Sequence, residues 1–157
     1  MGIVYTFAIG AIERSKHSKQ QQQLSLKNLK SYLAARDFKE EARLVCYDAC
    51  SRCTLLLDHT KRVKTKPFLS AGVEIYRYDD QTGLMQHDSA PYFDADDVEH
   101  PSCFSYTMQR NGIGEQLVVS YGGRVYDFGA YFEDVDVYDS LEDLQQHKEA
   151  LRQKALL

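Results

Sequence analysis

Two glycines, Gly122 and Gly123, stand between residues 116–121 (QLVVSY) and residues 124–132 (RVYDFGAYF). Two positions that tolerate positive φ between β-prone runs predict a tight hairpin. The hairpin sets a register in which Tyr121 faces Arg124, Val119 faces Tyr126 and Leu117 faces Phe128. Opposed residues share a sheet face. Leu117, Val119, Tyr126 and Phe128 are therefore expected on the buried side, with Ser120 and Asp127 on the other.

Further period-two patterns surround this hairpin. Val73 and Ile75 read as a strand, Asp79 through Gly83 as a turn, and Leu84 to Asp88 as the returning partner. Phe104, Tyr106 and Met108 alternate with polar residues, and Asn111-Gly112 marks another turn. Nearer the N-terminus, residues 3–12 (IVYTFAIGAI) read as a strand buried on both faces. Residues 13–23 are polar and Gln-rich and read as a mobile loop. Leu26, Leu29 and Leu33 recur at helical spacing. A second helix, or a bent continuation of the first, is expected from Asp37 and Glu40, which fit a capping box, with a stripe through Phe38, Ala42, Val45, Cys46, Ala49, Cys53, Leu56 and Leu57. Residues 61–66 (KRVKTK) read as a connection between layers. Asp139 or Ser140 caps a last helix carrying Leu141, Leu144 and Leu151.

Sequential hairpins with flanking helices imply an α+β fold. The expectation is a mostly antiparallel sheet of about five or six strands, with N-terminal helices and a C-terminal helix packed on one face. The 157 residues suit a single domain over 1–157. No run approaches the length of a membrane span. The N-terminal apolar run is followed, not preceded, by basic residues, the wrong order for a secretory signal. A reducing, cytoplasmic setting is expected on that ground.

Charge is divided along the chain. Residues 1–66 hold thirteen Lys/Arg against six Asp/Glu, and residues 67–157 hold six against seventeen. The acidic half also holds most of the 11 Tyr. Phosphate loops, dinucleotide-binding glycine motifs and nucleophile elbows are absent from the sequence. Basic segments lacking interleaved aromatics, in a chain acidic elsewhere, disfavour nucleic acid.

Cys46, Cys50 and Cys53 have the C-x3-C-x2-C spacing that holds an iron–sulfur cluster in radical-SAM enzymes. Those ligands follow a barrel strand, which a helix here excludes. A zinc set completed by Cys103, His59 or His100 is the stronger metal alternative. Small positions on a helix facing a sheet favour buried reduced thiols instead, so no metal and no cofactor are assigned. His87 and His100 each begin an H-x-S triplet, but only thirteen residues apart, a chance match to phosphoesterase signatures.

The acidic run in residues 89–101 (SAPYFDADDVEHP) reads as a surface loop. It lacks the glycine and closing glutamate of a calcium loop. The inventory points to a non-catalytic protein-binding module, an inhibitor, immunity-type or adaptor protein, that meets a basic protein through an acidic, Tyr-rich surface. Tyr92, Asp94, Asp96, Asp97, Asp134, Asp136 and Tyr138 are the candidate contacts. The alternative is a small-ligand-binding domain or small enzyme with a pocket on the sheet, using Tyr106, Tyr126, Asp127 or His87. Homo-oligomerisation is left open.

Overall fold

The Gly122-Gly123 hairpin forms in the expected register, with Tyr121 opposite Arg124, Val119 opposite Tyr126 and Leu117 opposite Phe128. Both glycines take positive φ, 61° and 76°. A computed structural model describes residues 23–130 and 134–156. The strand expected at residues 3–12 and most of the loop at 13–23 lie outside the described residues.

The hairpin strands, β9 (Leu117–Tyr121) and β10 (Arg124–Phe128), form the centre of a five-stranded sheet. Strand β4 (Glu74–Asp79) pairs with β9, β5 (Gly83–Gln86) continues beyond β4, and β11 (Asp136–Tyr138) flanks β10. The β4–β5 turn is braced by the Asp79 carboxylate, which accepts the amides of Gln81 and Thr82. A four-stranded sheet runs in the order β3 (Lys61–Thr65), β2 (Arg52–Leu57), β1 (Glu41–Tyr47), β8 (Ser102–Gln109). Two short strands, β6 (Tyr92–Phe93) and β7 (Glu99–His100), make a separate ribbon. Every strand pairing described is antiparallel. The expected α+β class with antiparallel sheets therefore holds, but the strands divide between two sheets rather than forming one.

The two sheets share one core. Leu44, Cys46, Leu55, Phe104 and Tyr106 from the smaller sheet meet Ile75, Leu117, Val119 and Phe128 from the larger. Tyr106 and Phe128 approach at 5.1 Å between ring centroids, tilted by 44°. That edge-inclined geometry suits aromatic quadrupoles. A short helix, α1 (Leu29–Ala34), buries Leu29 and Leu33 completely in the same core. Helix α2 (Leu141–Leu156) lies on the other face of the larger sheet, where Leu144 packs with Val118 and Val125. Ser140 caps it, its Oγ accepting the Asp143 amide at 3.1 Å.

The second N-terminal helix does not exist. Residues 37–57 instead supply β1 and β2, a hairpin in which Ala42 faces Leu57, Leu44 faces Leu55 and Cys46 faces Cys53. Its turn sets Asp48, Ala49 and Cys50 at φ 52°, 56° and 64°. Three consecutive left-handed non-glycine residues each cost roughly 1 kcal/mol or more, so tertiary links must hold them. Residues 61–66, expected as a connection, are mostly edge strand β3, whose lysines blunt an otherwise open edge.

The cysteines are not thiols. Cys46 is bonded to Cys53 across the β1–β2 hairpin, and Cys50 in its turn to Cys103 on β8. A helix would place Cys46, Cys50 and Cys53 on one side; the hairpin places two of them face to face. With both pairs closed, the thiol argument for a reducing compartment no longer stands. No described helix is long and apolar enough to cross a membrane.

Candidate functional site

The acidic run expected as a loop is in large part the β6–β7 ribbon, laid on the outer face of the smaller sheet. The strand period decides what it shows. Tyr92 pairs with His100 and Phe93 with Glu99, so the two pairs point to opposite faces. The inner pair is held firmly. The Tyr92 ring stacks on Tyr47 with centroids 4.4 Å apart, and packs with Val45 and Leu56. Arg62 on β3 donates to the Tyr92 hydroxyl at 2.6 Å and to the Phe93 carbonyl at 3.0 Å. Tyr47 in turn meets the Thr54 hydroxyl at 3.1 Å in the buried layer beneath.

His100 closes the ribbon against the β1–β2 turn. Its Nε2 lies 2.9 Å from Asp94 and its Nδ1 3.2 Å from Asp48. Both ring nitrogens face carboxylates, so both bonds are made only by the doubly protonated imidazolium. The bond to Asp94, then that to Asp48, raises the pKa of His100 above the ordinary histidine value. Asp94 is correspondingly held below the usual carboxylate range, first by His100 and then by the Val98 amide. With both nitrogens engaged, His100 is a clamp and not a general base.

Asp94 also shapes the tip. Its Oδ1 accepts the amides of Asp96 and Val98, each at 2.9 Å, while its backbone N–H donates to the Val98 carbonyl. What faces solvent on this braced tip is Phe93, half exposed, Val98, 53 % exposed, and the carboxylates of Asp96, Asp97 and Glu99.

The remaining three candidate contacts lie elsewhere. Asp134, Asp136 and Tyr138 line a groove of about 1200 Å³ between the larger sheet and α2, together with Asp79, Asp80 and Asp127. The overhanging end of the helix leaves Leu151 half exposed. Lys148 pairs with Asp127 at 2.9 Å, and Arg152 donates to the Asp80 carbonyl at 2.9 Å. From α1, buried Lys30 donates to the Gly129 carbonyl. Burial lowers its pKa, against the upward pull of Asp127, Asp136 and Asp134. Burial raises the Tyr138 phenol, with smaller contributions from Asp136 and Asp127.

The seven residues thus form two acidic patches rather than one. Tyr92 is buried as the ribbon's anchor, and Asp94 braces it. Tyr106, Tyr126, Asp127 and His87, named for a ligand or catalytic site, are dispersed: Tyr106 in the core, Tyr126 at the core's edge in a hollow beside Leu69, Asp127 in the groove, His87 in a separate cleft. Among the described residues no group of three His, Cys, Asp or Glu side chains is placed to hold a metal ion. Sequence reasoning missed Asp48, Tyr47 and Arg62, which carry the ribbon from 30 to 52 residues away. Comparison with family models, curated proteins and solved structures gives no match.

Proposed function

We propose that this chain is a non-catalytic protein-binding module, of inhibitor, immunity or adaptor type, whose β6–β7 ribbon docks on a basic surface of another protein. One observation carries the reading: the ribbon displays Phe93 and Val98 among Asp96, Asp97 and Glu99 on a tip already braced by Asp94, His100 and Arg62. Two exposed apolar side chains supply buried area, and the carboxylates supply orientation and rapid encounter. A tip ordered before binding loses little conformational entropy on docking. The groove beside α2, on the outer face of the other sheet, is a separate acidic patch.

The test is quantitative affinity capture with the full chain in three forms: wild type, Asp96→Lys/Asp97→Lys, and Phe93→Ser. An Asp88→Lys variant, acidic in origin but off the ribbon, serves as control. Basic proteins held by the wild type and the control are expected to be lost from both ribbon variants, and to elute as salt rises. Retention of every partner by Asp96→Lys/Asp97→Lys would rule the ribbon out as the docking site.

A further inference from the structure

We infer that a cleft at the junction of the two sheets is a small-molecule site, and that it takes its ligand by an oxyanion head, carboxylate or phosphate, gripped by Arg43. The outer face of β1 changes character along its length. Val45 and Tyr47 lie under the ribbon, whereas Arg43, two residues earlier on the same face, lines an open cavity of about 310 Å³. That volume is near the lower end for small-ligand pockets, roughly 300 Å³.

The charges within it do not cancel group by group. Glu115 is met by Arg77 at 3.6 Å, and Glu41 lies 3.1 Å from His59, an ion pair only while that imidazole carries a proton. Arg43 has no ion-pair partner among the described residues. It is half-buried, and its Nε donates to the Ser105 hydroxyl at 2.8 Å, which fixes the guanidinium plane. Its Nη2 reaches only to 3.5 Å from the Ala90 carbonyl. A guanidinium oriented by a neutral hydroxyl, with no carboxylate on its free edge and facing an open cavity, is placed to receive an anion. Thr107 and His87 line the same cavity and offer further donors. A flat two-toothed donor matches carboxylate or phosphate oxygens better than any single-point anion.

This site borders the chain entering the ribbon at Ser89 and Ala90 but uses none of the ribbon's tip residues, and its test separates the two. Isothermal titration of the full chain with inorganic phosphate and with succinate, at matched ionic strength, reads the head group directly. Binding on the order of millimolar is expected for at least one of them. Arg43→Gln is expected to abolish it, Arg43→Lys to weaken it about ten-fold through loss of the fork, and Asp96→Lys/Asp97→Lys to leave it unchanged. Phosphate also stabilises proteins by exclusion from their surface, so thermal shifts count only as the difference between wild type and Arg43→Gln. Absence of binding for both anions, or equal binding by wild type and Arg43→Lys, would overturn the assignment. Because Arg43→Lys keeps the charge, it serves the test even if Arg43→Gln fails to fold.

Discussion

His100 donates from Nε2 to the Asp94 carboxylate across 2.9 Å, and that contact couples the posture of the ribbon to pH. The pKa of His100 is raised in the folded state, so its contribution is fully present below the ordinary histidine value of about 6.5 and is lost as pH rises through the raised value. Asp94 is depressed, so its contribution is present above about 3.9 and is lost as pH falls through the lowered value. Both act together between those limits. Thermal unfolding followed through neutral and mildly alkaline pH should show a decline in the wild type that His100→Gln lacks. An identical alkaline slope in the variant would exclude the clamp as its source.

The two disulfides differ in the chain they close. Cys50 and Cys103 are 53 residues apart, Cys46 and Cys53 only 7. Loop-closure entropy assigns about 4 kcal/mol to the longer link and about 2.5 kcal/mol to the shorter. Cys50→Ser/Cys103→Ser is therefore expected to lose more stability than Cys46→Ser/Cys53→Ser in denaturant unfolding. Added dithiol reductant should bring the wild type below both. The longer link also joins the strained turn to the strand leading from His100, so its loss should expose the ribbon to proteolysis while the shorter link's loss does not.

How far the sequence revealed this arrangement depended on where turns carried chemical cues. The Gly122-Gly123 and Asp79-to-Gly83 turns announce themselves, and both hairpins form, the first in the expected register. The β1–β2 turn does not: Asp48, Ala49 and Cys50 enter the left-handed region without glycine. Strand β1 is also covered on both faces, by the core at Leu44 and Cys46 and by the ribbon layer at Val45 and Tyr47. Alternation therefore disappears, and the apolar positions of two strands fall by coincidence at helical steps. The acidic cluster at Asp94, Asp96 and Asp97 was legible as composition. Its clamp was not, because Asp48 and His100 are brought together only by the folded sheet.

Tyr106 is completely buried, and its hydroxyl has no hydrogen-bond partner among the described residues. Burial pushes the phenol far above its ordinary value. A buried donor left unpaired costs about 1–3 kcal/mol. Tyr106→Phe keeps the ring against Phe128 and removes that cost, so it is expected to be neutral or to stabilise by about 1 kcal/mol. Tyr106→Ala, by contrast, should lose about 3–5 kcal/mol through the cavity it leaves. Chemical denaturation of the two variants gives the comparison; a marked loss in Tyr106→Phe would mean the hydroxyl is bonded.

Ala49 offers the sharpest sign test of the strained turn. It is exposed, and its φ of 56° lies where an L side chain crowds its own backbone. Elsewhere, replacing Ala by Gly destabilises by about 0.4–1 kcal/mol, because the unfolded chain gains freedom. At Ala49 the relief of left-handed strain, about 1–2 kcal/mol, opposes that term and exceeds it. Ala49→Gly is therefore expected to raise stability by up to about 1.5 kcal/mol, the difference of those two terms. The gain should persist when Cys50 and Cys103 are both replaced by Ser, provided the turn keeps its conformation through the bonds from the Ser51 amide and hydroxyl to the Asp48 carbonyl. Urea unfolding of the four combinations separates the two contributions. A loss of stability for Ala49→Gly with the disulfide intact would show that this turn does not hold its residues in the left-handed region.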